Sequence, residues 1–298
     1  MNTRAIMGLG LKVIALTIVM LVSFMVGALV LGPQVESPEE AGESLLPLLV
    51  VSFLNTAALT YPIVRSRWSG LRLLAVVFVV FYGVGTFMSQ IESVVFVTTI
   101  PASEIPKLFL MGAITALIFS PLAVLILGRM RRDTAVEGPN LRLVMPWTEW
   151  VWKLAVIGVV YLILYTTFGY FVAWQNPALR EFYSGSTELV GFFDQWRNTL
   201  LADPWLAPFQ VLRSLLWVAL ALPVIRMMKG RWWEAGLAVG LLFAVLMNAQ
   251  LLVPNPYMPQ AVRMSHLVET ASSNFIFGWL VVWLLNRHDA LSALRVSS

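Results

Sequence analysis

The sequence predicts an all-α, polytopic transmembrane bundle of about eight spans, arranged as two four-helix repeats of the same topology. Three observations carry this. The 298-residue chain is 59% hydrophobic and only 12% charged, with a mean hydropathy of +0.79, whereas a soluble domain carries about 25% charged residues. Uncharged apolar runs such as 13–31 and 73–91 reach the roughly 20 residues that a helix needs to cross a bilayer. Sequence features of the first half recur in the second, in the same order.

The spans fall at about 10–32, 46–64, 71–95, 106–128, 149–174, 207–227, 233–253 and 260–286, set by apolar run length and flanking polar residues. Helices are required because backbone polar groups in lipid must be satisfied within their own segment. The runs are too long and too uniformly apolar for the alternating strands of a barrel. The first run follows M-N-T-R. It exceeds the 7–15 apolar residues of a typical signal peptide and no small-x-small cleavage site follows it, so it reads as a retained span. The second span ends in L-T-Y-P-I-V-R-S-R-W (59–68), and the sixth ends alike in L-A-L-P-V-I-R-M-M-K-G-R-W (220–232). Lys12 opens the first span as Lys153 opens the fifth, and L-I-L-G-R closes the fourth as W-L-L-N-R closes the eighth. These matches define a first repeat over 1–132, a basic cytoplasmic linker over 133–144, and a second repeat over 145–298 that carries an outer interfacial loop at 175–206. An even number of spans per repeat gives both halves the same topology, related by an axis along the membrane normal.

Orientation follows from the basic residues. Fifteen of the twenty Lys and Arg flank one side of the predicted bundle; the other five are Lys107, Arg180, Arg197, Arg213 and Arg263. The positive-inside rule places both termini in the cytoplasm of a plasma (inner) membrane. The acidic stretch Q-V-E-S-P-E-E-A-G-E-S then lies outside. The formal net charge of +4 resides at the ends of apolar runs, so the expected partners are the lipid bilayer and a small solute or lipid, not nucleic acid. Cysteine is absent, which removes disulfides, thiolate metal sites and a cysteine nucleophile. No P-loop, GxSxG, HExxH or glycine-rich phosphate loop is present, and no cofactor is indicated.

The candidate site begins in R-M-S-H-L-V-E-T-A-S-S-N, residues 263–274. On a helix starting near Pro259, the side chains of His266, Glu269, Thr270 and Ser273 share one face. His266 and Glu269 lie roughly 10 and 15 Å below the helix start. A carboxylate at that depth must face the bundle interior, a partner or water. Gln90 and Glu92 near the outer end of the third span, Asn248 and Gln250 near that of the seventh, and Arg263 one turn above His266 fall at similar depth. Together they form a predicted site for substrate binding or proton coupling. Asn248 and Gln250 also suit interhelical hydrogen bonding. If a metal were held, its ligands would be His266, Glu269 and Glu92. His288, between Arg287 and Asp289, reads as a solvated terminal residue.

In the outer loop, Leu189, Phe192, Phe193, Trp196 and Leu200 recur at helical spacing. They predict an interfacial helix that either covers the polar cluster or merely anchors the chain in the interface. Three functions stay open. One is transport or binding of a small solute or lipid-like molecule, coupled to protons through Glu269 and Glu92 with His266 as relay. The second is an intramembrane enzyme acting on a lipid or lipid-linked substrate. The third is a non-catalytic assembly subunit.

Overall fold

In the computed structural model, residues 3–31, 38–131, 140 and 142–286 are described. Arg287, His288, most of the linker and much of the acidic stretch lie outside them. Among the described residues the chain is all helical apart from one isolated bridge between two corners. Eight helices are long and apolar enough to cross a membrane. They are α1 (Thr3–Ala28), α2 (Pro38–Val64), α3 (Gly70–Tyr82) continuing into α4 (Met88–Phe96), α5 (Ile105–Ile126), α6 (Trp147–Phe168), α9 (Leu206–Met227), α10 (Trp232–Asn248) and α11 (Gln260–Asn286). Two shorter helices, α7 (Pro177–Ser184) and α8 (Phe192–Ala202), occupy the long loop. Each predicted span lies within a few residues of an observed one.

Large side chains such as Leu11, Ile14, Ile18 and Met25 point outward from α1 and are more than half exposed. In water such a surface would be a liability; in lipid it needs no partner. The core runs between the helices and includes Leu16, Phe119, Trp217, Phe243 and Phe277, all essentially inaccessible. Glycines allow close approach where helices meet. A Cβ on Gly27 would lie 2.5 Å from Thr115 Oγ1 and 2.8 Å from the Met111 carbonyl, so α1 and α5 pack backbone to backbone. A Cβ on Gly278 would lie 3.0 Å from Gly240 Cα, which makes α10 and α11 a tightly joined pair.

The packing order of the two halves is the same. In the first, α1 lies against α2 and α5, and α3 lies against α5. In the second, α6 lies against α9 and α11, and α10 lies against α11. Contacts between halves run from α10 to α2 and from α3 to α9.

At one end of the bundle the two Pro–Arg corners meet. Pro62 and Pro223 sit inside the last turns of α2 and α9. Beyond them the chain forms an antiparallel bridge between Ser66 and Met228. The Arg67 N–H donates to the Met227 carbonyl at 2.7 Å, and the Lys229 N–H to the Arg65 carbonyl at 2.8 Å. Arginines take up the carbonyls that these helix ends leave over. Arg129 donates to the carbonyls of Ser66 and Trp68, and Arg142 donates to those of Ile225 at 3.0 Å and Met228 at 2.7 Å. Cations at helix C-termini also complement the helix dipole.

The opposite end carries α7 and α8. Asn176 caps α7, accepting from the Ala178 N–H at 3.0 Å, with Pro177 next in the first turn where a missing N–H costs nothing. Gly185 ends the helix with φ of 70°, a conformation favourable to glycine. Buried Arg180 donates to the carbonyls of Trp174 and Thr187 and so folds α7 back onto the end of the fifth span. Two π-turns interrupt spans near this end, at Gly83–Phe87 and Gly169–Ala173. Such turns re-aim the side chains that follow and are frequent at functional sites.

Candidate functional site

The end that carries α7 and α8 contains a cavity of about 490 Å³. Its walls come from α4, from the end of α6 and the second π-turn, from α7 and α8, from the start of α9, from the last residues of α10 and from the first half of α11. Aromatic side chains dominate the walls, among them Phe96, Tyr170, Trp174, Phe192, Trp196 and Trp205. Polar groups occupy the floor: Ser89, Glu92, Asn248, Gln250, His266, Glu269 and Thr270. Beneath it a second space of about 20 Å³, enough for one water, lies among Glu92, Arg213, Glu269 and Ser273.

The α11 stripe faces inward. Glu269 is 6% exposed. The His266 Nδ1–H donates to Glu269 Oε2 at 2.8 Å, and the Tyr183 hydroxyl lies 2.9 Å from His266 Nε2. With Nδ1 the donor, neutral His266 accepts from the phenol at Nε2. Burial, and then the Glu92 and Glu269 carboxylates, push the Tyr183 phenol far above its usual pKa, so it remains a donor. Tyr183, His266 and Glu269 thus form a continuous hydroxyl–imidazole–carboxylate chain. Gly169 starts the second π-turn directly beside Glu269; a Cβ there would lie 3.7 Å from Oε1.

A second charged pair stands across the floor. Arg213, 2% exposed on α9, donates to Glu92 Oε2 at 2.6 Å and to Gln210 Oε1 at 3.0 Å. Asn248 Oδ1 accepts from Thr270 at 2.5 Å, and Gln250 donates to Ser89 Oγ at 2.7 Å. These two bonds tie α10 to α11 and to α4. Below the floor, Trp217, Phe243, Tyr161 and Phe277 make an aromatic plug, with centroids 4.3 Å apart for Trp217–Phe243 and 4.7 Å for Tyr161–Phe277.

Of the predicted residues, Glu92, Asn248, Gln250, His266, Glu269 and Thr270 line the large cavity, and Ser273 lines the small one. Gln90 and Arg263 line neither. At this point on α4, just past the first π-turn, Ser89 rather than Gln90 faces the cavity. Arg263 turns onto the carbonyls of Leu251 at 2.9 Å and Val253 at 2.7 Å, capping the end of the seventh span instead of facing His266. For the metal alternative of His266, Glu269 and Glu92, no three His, Cys, Asp or Glu among the described residues are grouped to hold an ion.

The predicted interfacial helix is α8, but its apolar stripe divides. Phe192 and Trp196 line the cavity with Gln195 and Thr199. Leu189, Phe193 and Leu200 stay exposed, Phe193 at 82%.

Sequence reasoning missed Arg213, Gln210, Tyr165 and Tyr183. Arg213 had counted only toward the charge asymmetry, although Gln210 and Arg213 sit three residues apart inside an otherwise apolar span, which was a usable signal. Tyr183 had none, because only the fold of α7 brings it to His266. Comparison with protein families, with curated proteins and with solved structures found no match.

Proposed function

We propose that this is an integral membrane protein that receives a small amphiphilic or lipid-like molecule in a cavity facing the outer side of the membrane, with the His266–Glu269 pair exchanging a proton as the molecule binds or leaves. The observation that carries this reading is the cavity itself: about 490 Å³ with aromatic walls and a charged, hydrogen-bonded floor. Such a site suits an apolar body with a polar head. The Lys and Arg asymmetry supports the outward direction. The aromatic plug and the paired corners support access from one side. The matching packing order of the two halves supports a duplicated four-span design, of which only the second half supplies the α11 stripe.

The test is native mass spectrometry of the full chain purified in mild detergent. The wild type retains one amphiphile per chain, and Ala173→Trp or Ser89→Trp, which fill the cavity, lose it. Retention unchanged in both folded variants overturns the reading.

The Tyr183–His266–Glu269 chain favours a second reading, an intramembrane enzyme for a lipid-linked substrate. There His266 would act as general base with Glu269 holding its tautomer. Under it, Tyr183→Phe and Glu269→Gln still retain the amphiphile but leave it chemically unaltered where the wild type converts it.

A further inference from the structure

The charge lining the large cavity is one-sided. Among the described residues on its walls there are three carboxylates, Glu92, Asp203 and Glu269, and no lysine or arginine. Three buried arginines stand behind the walls and are committed there: Arg213 to Glu92 and Gln210, Arg180 to the carbonyls of Trp174 and Thr187, and Arg263 to those of Leu251 and Val253. The charged side chains that face the cavity are therefore acidic, while the arginines behind them are spent on the wall's own carboxylate, amide and carbonyl groups. Aromatic faces accompany these carboxylates from the floor at Tyr165 to the mouth at Trp205, whose indole N–H donates to Asp203 Oδ1 at 3.1 Å. Aromatic walls with nearby carboxylates attract cations: the ring faces are electron-rich, and a weakly hydrated ammonium loses little by leaving water. An anionic headgroup would find no positive partner on the walls and would be repelled by Glu92 and Glu269.

Building on the amphiphile-binding reading, we infer that the occupant is an organic cation, an amine or quaternary ammonium carried on an apolar body, with its charged group set between Glu92 and Glu269 and its body against Trp196 and the other aromatic walls. The pair formed by His266 and Glu269 then has a defined role, because a cation arriving beside Glu269 favours release of an extra proton taken up by the pair, and uptake of that proton favours loss of the cation.

The experiment uses the full chain in uncharged maltoside micelles, followed by tryptophan emission. Two isosteric probes differ in charge, benzyltrimethylammonium and the neutral hydrocarbon neopentylbenzene, and a third of similar size, benzylsulfonate, is an anion. The cation binds saturably, and the other two bind at least about tenfold more weakly, the size expected for one desolvated cation–π and carboxylate contact. Glu269→Gln, which keeps an acceptor for His266, weakens the cation by about tenfold, Asp203→Asn, on the exposed and screened mouth, weakens it by less, and both leave the neutral probe unchanged. Trp196→Ala weakens both. Equal binding of neutral and cationic probes, or tighter binding of the anion, overturns the charge assignment while the amphiphile reading stands. Binding of none of the three overturns the inference. Retention of a native amphiphile by mass spectrometry then decides the broader reading separately.

Discussion

At the scale of single residues, the floor of the cavity is built from pairs, and each pair responds to truncation in its own way. Arg213 is buried, and its removal leaves Glu92 without compensation inside a low-dielectric bundle. Breaking such a pair from one side costs about 3 kcal/mol or more, while replacing both partners with apolar side chains of similar volume costs much less. Arg213→Met is therefore expected to lower thermal stability sharply, and the double variant Arg213→Met with Glu92→Leu to recover most of the loss. Unfolding followed by intrinsic fluorescence in detergent checks this, and an equal loss in both variants would mean that Arg213 acts through packing alone. Tyr183→Phe removes one hydrogen bond to His266 and nothing else of its shape. It is expected to cost about 1 kcal/mol and to leave the fold intact, read by the same assay. These pairs also mark how far residue-level reading went. His266 and Glu269 are legible because they sit three residues apart, with Thr270 and Ser273 on the same face, in a helix that turns wholly apolar from Phe275 to Leu285. Arg213 and Tyr183 were not placed, since their roles depend on contacts with α4 and α11 across 121 and 83 residues of chain.

At the scale of elements, the spans were legible because lipid imposes one rule, long apolar runs with polar ends, and the chain obeys it throughout. The two π-turns were not legible. Gly83 and Gly169 look like ordinary helix glycines, and a single extra residue in the turn carries no periodic signal. Their effect is local: next to the first π-turn Ser89, not Gln90, faces the cavity. The divided face of α8 has a related cause. Its stripe of large apolar residues fits an interface, but the π-turn beside it presents Tyr170 and Phe171 to Phe192, with centroids 5.2 Å apart in each pair. That contact rotates one side of the helix onto the cavity. Helix contacts give a sharp test of packing. Gly27→Ala brings a Cβ against the Met111 carbonyl, which cannot rotate away, and is expected to destabilise by about 1–2 kcal/mol even after the gain in helix propensity. Gly10→Ala in the same helix meets nothing within 4 Å and is expected to be neutral or stabilising by up to about 1 kcal/mol. Similar melting temperatures for the two would refute close α1–α5 packing.

At the scale of the whole molecule, the proposed orientation has a direct assay, helped by the absence of native cysteine. Phe193→Cys, on the exposed face of α8, is expected to react with a membrane-impermeant maleimide in intact cells. Arg131→Cys, beyond the fourth span, is expected to react only after the membrane is opened. The reverse pattern would invert the layout and turn the cavity toward the cytoplasm. The bridge between the two Pro–Arg corners bears on how such a molecule could move. Residues 65–67 and 227–229 exchange two backbone hydrogen bonds where the halves meet, and Arg129 and Arg142 brace the same turns. Parting the halves at that end would break both backbone bonds and the arginine contacts that brace them at once. At the far end the halves are joined through side chains instead, Arg213 with Glu92 and Gln250 with Ser89, and α8 outside them buries none of its residues fully. The corners therefore act as a fulcrum and α8 as the free rim. If the molecule takes a cargo as proposed, the cheapest opening is at that rim, and entry and exit share one door.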